Sequence, residues 1–218
     1  MEYRLIRSRR KTTTIAVTRT GEVVVRAPLR YPVEKIEGFL KEKESWIRKH
    51  QQRMAAANVP KIGEHLDGEQ LLLLGETYTI RLYDCFDVQV DDVIKTLFVP
   101  NVESEKRLVE WLKRRAEETF AGLMQMRAKQ MNAPYRSLRL SLARTRWGMC
   151  SAKNDIRLCF RLIFAPRDVI DYVVVHELAH CFVKNHSAAY WAHVAAVMPN
   201  HKEKRKWLKD HAALMSIF

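Results

Sequence analysis

Between Val169 and His180 the chain reads VIDYVVVHELAH, and this segment constrains the fold more than any other. Pro166 stands ahead of it with Arg167-Asp168 in what would be a first turn, and Val169, Ile170, Val173 and Val174 supply an apolar face. The pattern predicts a helix over 166–182, half-buried because Tyr172-Val173-Val174-Val175 leaves it little polar surface. On such a helix His176 and His180, four residues apart, lie one turn above each other and point the same way. Two parallel imidazoles suit one metal ion with Zn–N bonds of roughly 2.0–2.1 Å. Glu177 sits about 100° round the helix from His176, where its carboxylate reaches a metal-bound water without displacing it.

Two histidines leave a zinc ion under-coordinated, and His186, six residues after His180, is the natural third ligand. A continued helix would turn it roughly 240° away from His180. The helix must therefore stop between them. Asn185 tolerates a left-handed conformation and suits that turn, and Ser187 suits the cap of a following helix. The spacing equals that of H-E-x-x-H-x-x-G-x-x-H enzymes, except that Val183 replaces the glycine, so the local turn must differ from theirs. Three imidazoles would hold one zinc ion per chain and leave a position for water, with Glu177 as the proton acceptor.

Contacts to substrate are less sharply marked. Tyr190 and His193 follow His186 by four and seven residues, which puts them on the ligand side if that stretch is helical; packing against the core is the plainer role. Arg146, Arg157 and Arg161 lie on or beside two expected strands, 137–144 and 155–162, joined by the turn-like RWGMCSAKN (146–154). Each could bind a carboxylate or phosphate bidentately, or simply cover a strand surface.

The first hundred residues differ in character. Residues 12–18 and 22–27 are rich in β-branched types around Thr20-Gly21, which predicts a hairpin closed by Pro28 and Pro32. Apolar positions from Val33 to about Ala56 recur at helical spacing, and Pro60 and Gly63 then break the chain. Residues 69–74, 77–83, 86–90 and 94–99 suggest two more hairpins. A long helix from about Ser104 to Met131 ends at Asn132-Ala-Pro134. Helices at 187–197 and 202–214 complete the chain. The expected class is α+β, with a β-rich region at 1–100 and a zincin-like helical core with a small antiparallel sheet at 101–218.

The 218 residues carry a net charge of +13, which favours anionic partners without naming one, or simply keeps a basic surface solvated. No apolar run approaches the roughly 18–20 residues of a membrane span, and MEYRLIRSRRK is followed by no signal-peptide core, so a cytoplasmic protein is expected. Cys85, Cys150, Cys159 and Cys181 form no C-x-x-C pair and read as small hydrophobes rather than disulfides or ligands.

The segments RWGMCS (146–151), IRLCFRL (156–162), VIDYVVVHELAH (169–180), NHSAAYW (185–191) and MPNHKEKRKWL (198–208) resemble the YgjP-like family of metal-dependent hydrolases, a metallopeptidase family related to SprT-like zinc proteases. SRRKTTTIAVTRTGEVVVRAPL (8–29) and ESWIRKH (44–50) resemble its N-terminal region. The resemblance implies His176, His180 and His186 as metal ligands and Glu177 as the catalytic residue. Met149 stands where the family usually has Ser, Cys159 where it has Asn, and Tyr190 where it has Phe. Three functions are open at this point. The leading one is a zinc metallopeptidase acting on peptides or proteins. An alternative is a nucleoside triphosphate pyrophosphatase on the same site, although imidazoles prefer zinc to the magnesium or manganese of that chemistry. The third is a nucleic-acid-binding module with structural zinc, which would need a fourth ligand such as Cys181.

Overall fold

The computed structural model describes residues 2–17, 22–56 and 66–217. The chain divides into two compact units, Met1–Val59 and Pro60–Phe218.

In the first unit β1 (Arg4–Ser8), β2 (Thr14–Val17) and β3 (Val23–Pro28) form a sheet in the order β1-β3-β2. β3 takes the centre because its valines, Val23 to Val25, are all buried. β2 runs antiparallel to it, as the β-branched pattern predicts, while β1 pairs in parallel with Arg4 opposite Val24. The connection at Thr20-Gly21 and the breakers Pro60 and Gly63 lie outside the described residues. Arg7 donates to the carbonyls of Pro28, Leu29 and Tyr31 at 3.1, 2.9 and 2.8 Å, fixing the exit from β3. The helix expected over 33–56 is two helices, α1 (Val33–Glu42) and α2 (Glu44–Ala56), divided at Lys43, whose φ of −95° and ψ of 8° leave the helical range. Ile36, Leu40 and Ile47 close the core over Val23, Val25 and Ala27.

The second unit begins with β4 (Gln70–Leu73), β5 (Glu76–Tyr83), β6 (Gln89–Asp91) and β7 (Thr96–Pro100). Both hairpins are present, and parallel pairing of β5 with β7 joins them in the order β4-β5-β7-β6. Leu74 and Gly75 connect β4 to β5 with φ of 53° and 85°, the two left-handed residues of a type I′ turn. That turn docks on a later segment of the same unit: the Leu74 N–H donates to the Ile163 carbonyl at 2.7 Å, and a Cβ on Gly75 would lie 2.8 Å from Pro166 Cα. The boundary expected at Pro100-Asn101 lies within the second compact unit. The four-stranded sheet shares its compact unit with everything that follows.

α3 (Ser104–Met131) buries a stripe of Leu108, Leu112, Ala116, Phe120, Leu123, Met124 and Ala128 at three- and four-residue spacing. It ends where Asn132 adopts φ 51°. The third sheet has β10 (Asp155–Cys159) at its centre, β8 (Ser137–Ser141) parallel on one side and β9 (Gly148–Cys150) antiparallel on the other. It is mixed rather than antiparallel, because the turn-like stretch 146–154 folds back as an edge strand. A 3-10 turn, Phe160–Phe164, leads into α4 (Arg167–Ala179), followed by α5 (Ala188–Val197) and α6 (His201–Asp210).

α4 is buried on almost every side, with ten of its thirteen residues in the interior. Polar ties fix its position as well as apolar contact. Arg127 on α3 grips Asp171 with two parallel hydrogen bonds, the Nε–Oδ1 bond at 2.8 Å, and Lys204 on α6 pairs with Asp168. The architecture is α+β. Among the described residues no helix is long and apolar enough to cross a membrane.

Candidate metal centre

His176 and His180 project from the last turn of α4, and His180 is its C-cap residue. His186 comes from the loop that follows. One nitrogen of each of the three rings lies within 4.8 Å of the others. The Nε2 atoms of His176 and His186 are 3.3 Å apart. Two ligands of one tetrahedral zinc ion, each at roughly 2.0–2.1 Å, stand about 3.3–3.4 Å apart, so this donor set fits such an ion.

How His186 returns to the helix was open from sequence. The helix ends earlier than expected, with Cys181 N–H bonded to Leu178 O at 2.9 Å and the N–H groups of Phe182 and Val183 both reaching Ala179 O at 3.1 Å. Val183 is not among the residues with positive φ, so this turn has no need of the glycine found in related motifs. Nor does Asn185 adopt the left-handed conformation suggested for it. It acts through its side chain, accepting the Ser187 N–H at 3.2 Å, while Ser187 holds the N-cap position of α5 without a side-chain capping bond. Lys184 pins the loop to the β9–β10 turn, donating to Ser151 O at 2.8 Å and to Asn154 Oδ1 at 2.5 Å.

Partners that orient the rings are also visible. His180 Nδ1–H donates to the Val183 carbonyl at 3.0 Å, which directs Nε2 toward the other imidazoles. Tyr172 holds its hydroxyl 3.4 Å from His176 Nδ1. Burial, and then the neighbouring charges of His180, His186 and Arg205, push the His176 imidazole down to about 3, so it is neutral and ready to ligate at ordinary pH.

Glu177 is buried, and burial pushes its carboxyl up to about 8. Its Oε2 has no hydrogen-bond partner. An orphaned carboxylate oxygen in the interior carries a large desolvation penalty, and a nearby dication is a physical reason to retain one. Gly148 on β9 makes the room: a Cβ there would collide with the Glu177 carboxyl, its Cγ and Cδ only 2.8 Å away. Glu177 and His176 line one cavity of about 330 Å³, together with Arg146, Trp147, Tyr172 and Arg205.

The remaining sequence candidates separate. Arg146 lines this cavity, whereas Arg157 lines a different groove with Arg139 and Met149. Arg161 is not available to substrate: it is buried, stacks on Phe160, and donates to the Ile217 carbonyl at 2.7 Å and the Leu142 carbonyl at 3.3 Å. Tyr190 is fully buried beneath the three imidazoles, and its hydroxyl donates at 3.0 Å to the His176 carbonyl, one of the last carbonyls of α4. That bond gives the Tyr190 hydroxyl its own partner in the interior. His193 is exposed and stacks on Phe182 with ring centroids 4.8 Å apart, outside the cluster. Sequence reasoning missed Tyr172 and Arg205; VIDYVVV and the basic HKEKRKWL were visible, but not that they meet at this cavity.

The cysteines are all free. Cys159 is buried with its thiol donating to Ala143 O at 3.1 Å. Burial, reinforced by neighbouring Cys150, pushes the Cys181 thiol up, and among the described residues the group that converges on the site is His176, His180 and His186 without Cys181.

The family model described as "YgjP-like, metallopeptidase domain" matches residues 11–211. The chain belongs to the YgjP-like family. The match runs through both compact units, and it makes this YgjP-like chain a metal-dependent hydrolase of the metallopeptidase kind, which implies a divalent metal ion and a peptide or protein substrate. No curated protein matches. The crystal structure of the metallopeptidase zymogen of Pyrococcus abyssi abylysin is similar at 21% identity and a TM-score of 0.38, covering 41% of this chain and 92% of that one.

Proposed function

We propose that the chain is a zinc-dependent peptidase in which His176, His180 and His186 hold one zinc ion and Glu177 is the general base and acid. The observation that carries this reading is the orphaned, buried Glu177 carboxyl in the same cavity as His176, one of three converging imidazoles. When bound, zinc supplies Lewis acidity, polarising a carbonyl and acidifying water.

The protein's own groups then divide the work. His176 and His180 stay neutral because burial disfavours their charged forms, and the Val183 carbonyl holds His180 in the tautomer that frees Nε2. Glu177 accepts a proton from water as the peptide carbonyl is attacked and delivers it to the departing amine. Its elevated pKa without metal makes it a reluctant anion, which favours proton uptake once water is acidified. Burial by Gly148 and α4 keeps bulk water from neutralising that advantage.

Glu177→Gln tests the assignment. The variant keeps its zinc and loses at least about a hundredfold in peptide cleavage, the usual span of a general base. Cleavage at the wild-type rate would overturn the role of Glu177.

A further inference from the structure

The cavity beside Glu177 holds more positive charge than peptide hydrolysis by the histidines and Glu177 requires. Arg146, just ahead of β9, and Arg205, on α6, both line it, and both are exposed. Other arginines of this unit have acidic partners: Arg114 pairs with Asp87, Arg127 with Asp171 and Arg136 with Asp155. Among the described residues, neither Arg146 nor Arg205 makes such a pair. Arg205 nonetheless has a fixed place. Its guanidinium lies 5.2 Å over the Trp191 ring, and Trp191 also stacks with His186 and with His201 at centroid distances of 5.8 and 5.4 Å. A guanidinium held by stacking keeps its hydrogen-bonding edges free for a planar anion. The acidic residue lining the cavity is Glu177, which the reaction needs.

We propose that Arg146 and Arg205 form a carboxylate-binding subsite, and that the substrate is a peptide with an acidic side chain close to the bond cut. The subsite rests on the peptidase reading for its substrate but not for its charge. Its other walls, Trp147, Tyr172 and Leu208, give apolar surface to the methylenes of a Glu side chain, and each guanidinium carries the fork that a carboxylate accepts.

Binding separates the two ideas. Zinc-loaded Glu177→Gln protein, which does not turn over, is titrated with a fluorescent peptide carrying a central Glu and with the same peptide carrying Gln, each with a free or an amidated C-terminus. The Glu peptide binds about tenfold tighter whichever terminus is used, as expected of a hydrogen-bonded charge pair. Adding Arg205→Gln or Arg146→Gln removes most of that preference, Arg205→Lys restores part of it, and zinc content and near-ultraviolet circular dichroism stay unchanged. Equal affinity for Glu and Gln peptides, or a preference that survives both substitutions, overturns the subsite. So does a preference that follows the free terminus instead of the side chain, or stronger arginine-dependent binding of a nucleoside triphosphate. If wild-type protein cleaves none of the peptides that bind, the peptidase reading fails while the subsite still stands on the binding data.

Discussion

The residues that meet at the candidate metal centre come from two unlike regions. α4 is enclosed by the core, and its N-terminal part is tied by Arg127–Asp171 and Lys204–Asp168. The loop that carries His186 runs through exposed residues from Lys184 to Ser187 and is held by hydrogen bonds instead of packing. The helix thus delivers His176, Glu177 and His180 as one preorganised block, and the loop closes the site. The difference implies that perturbing the helix costs global stability, whereas perturbing the loop costs metal affinity and little else.

The largest effect should come from cutting the helix's main polar tie. Arg127→Ala leaves Asp171 partly desolvated and uncompensated, and is expected to lower unfolding free energy by about 3 kcal/mol in urea titration. A loss below about 0.5 kcal/mol would mean that apolar packing alone positions α4.

Titration of the helix block gives the next effect, measured on metal-free protein. Glu177 has a folded pKa of about 8, above its ordinary 4.5, so the folded state holds the extra proton between those values and stability falls as pH rises through them. His176 is depressed to about 3, so its contribution is present above its ordinary 6.5 and is lost as pH falls toward 3. Between pH 6.5 and 8 Glu177 therefore acts without opposition from His176 and lowers stability by about 2 kcal/mol. Glu177→Gln should flatten that limb in urea unfolding. An unchanged slope would show that the carboxyl is not perturbed.

On the loop side, Lys184→Ala removes the anchor to Ser151 and Asn154. Zinc affinity should fall about tenfold in competition with a chromophoric chelator, with unfolding free energy within about 0.5 kcal/mol of wild type. The smallest effect belongs to Val183→Gly. With no positive φ to relieve, glycine brings only backbone entropy, and stability should drop by about 0.5–1 kcal/mol; a gain would mean that the valine strains the turn.

How much of this was legible beforehand follows the same division. The placement of His176, His180 and Glu177 depends on the helical repeat, a local property, and the rings of His176 and His180 stand 5.1 Å apart as that repeat requires. That the helix must stop before His186 was also local. The manner of stopping was not, because it depends on His180 bonding Val183 O and on Lys184 reaching a turn some thirty residues away. Arg161 misled because a strand arginine is usually exposed, and only the folded chain brings the Ile217 carbonyl to it. Likewise β9 was hidden in a segment with turn composition, and its role in making space for Glu177 belongs to Gly148 having no side chain. Arg205 reaches the cavity through the packing of α6 on α4, which no spacing rule encodes.

Zinc K-edge absorption spectroscopy of the zinc-loaded protein tests the central claim most directly. The account predicts one zinc ion per chain with three imidazole nitrogens at roughly 2.0–2.1 Å and a light oxygen or nitrogen donor, falling to two imidazoles in His186→Ala. A sulfur scatterer at roughly 2.3 Å, or a spectrum unchanged by His186→Ala, would contradict it.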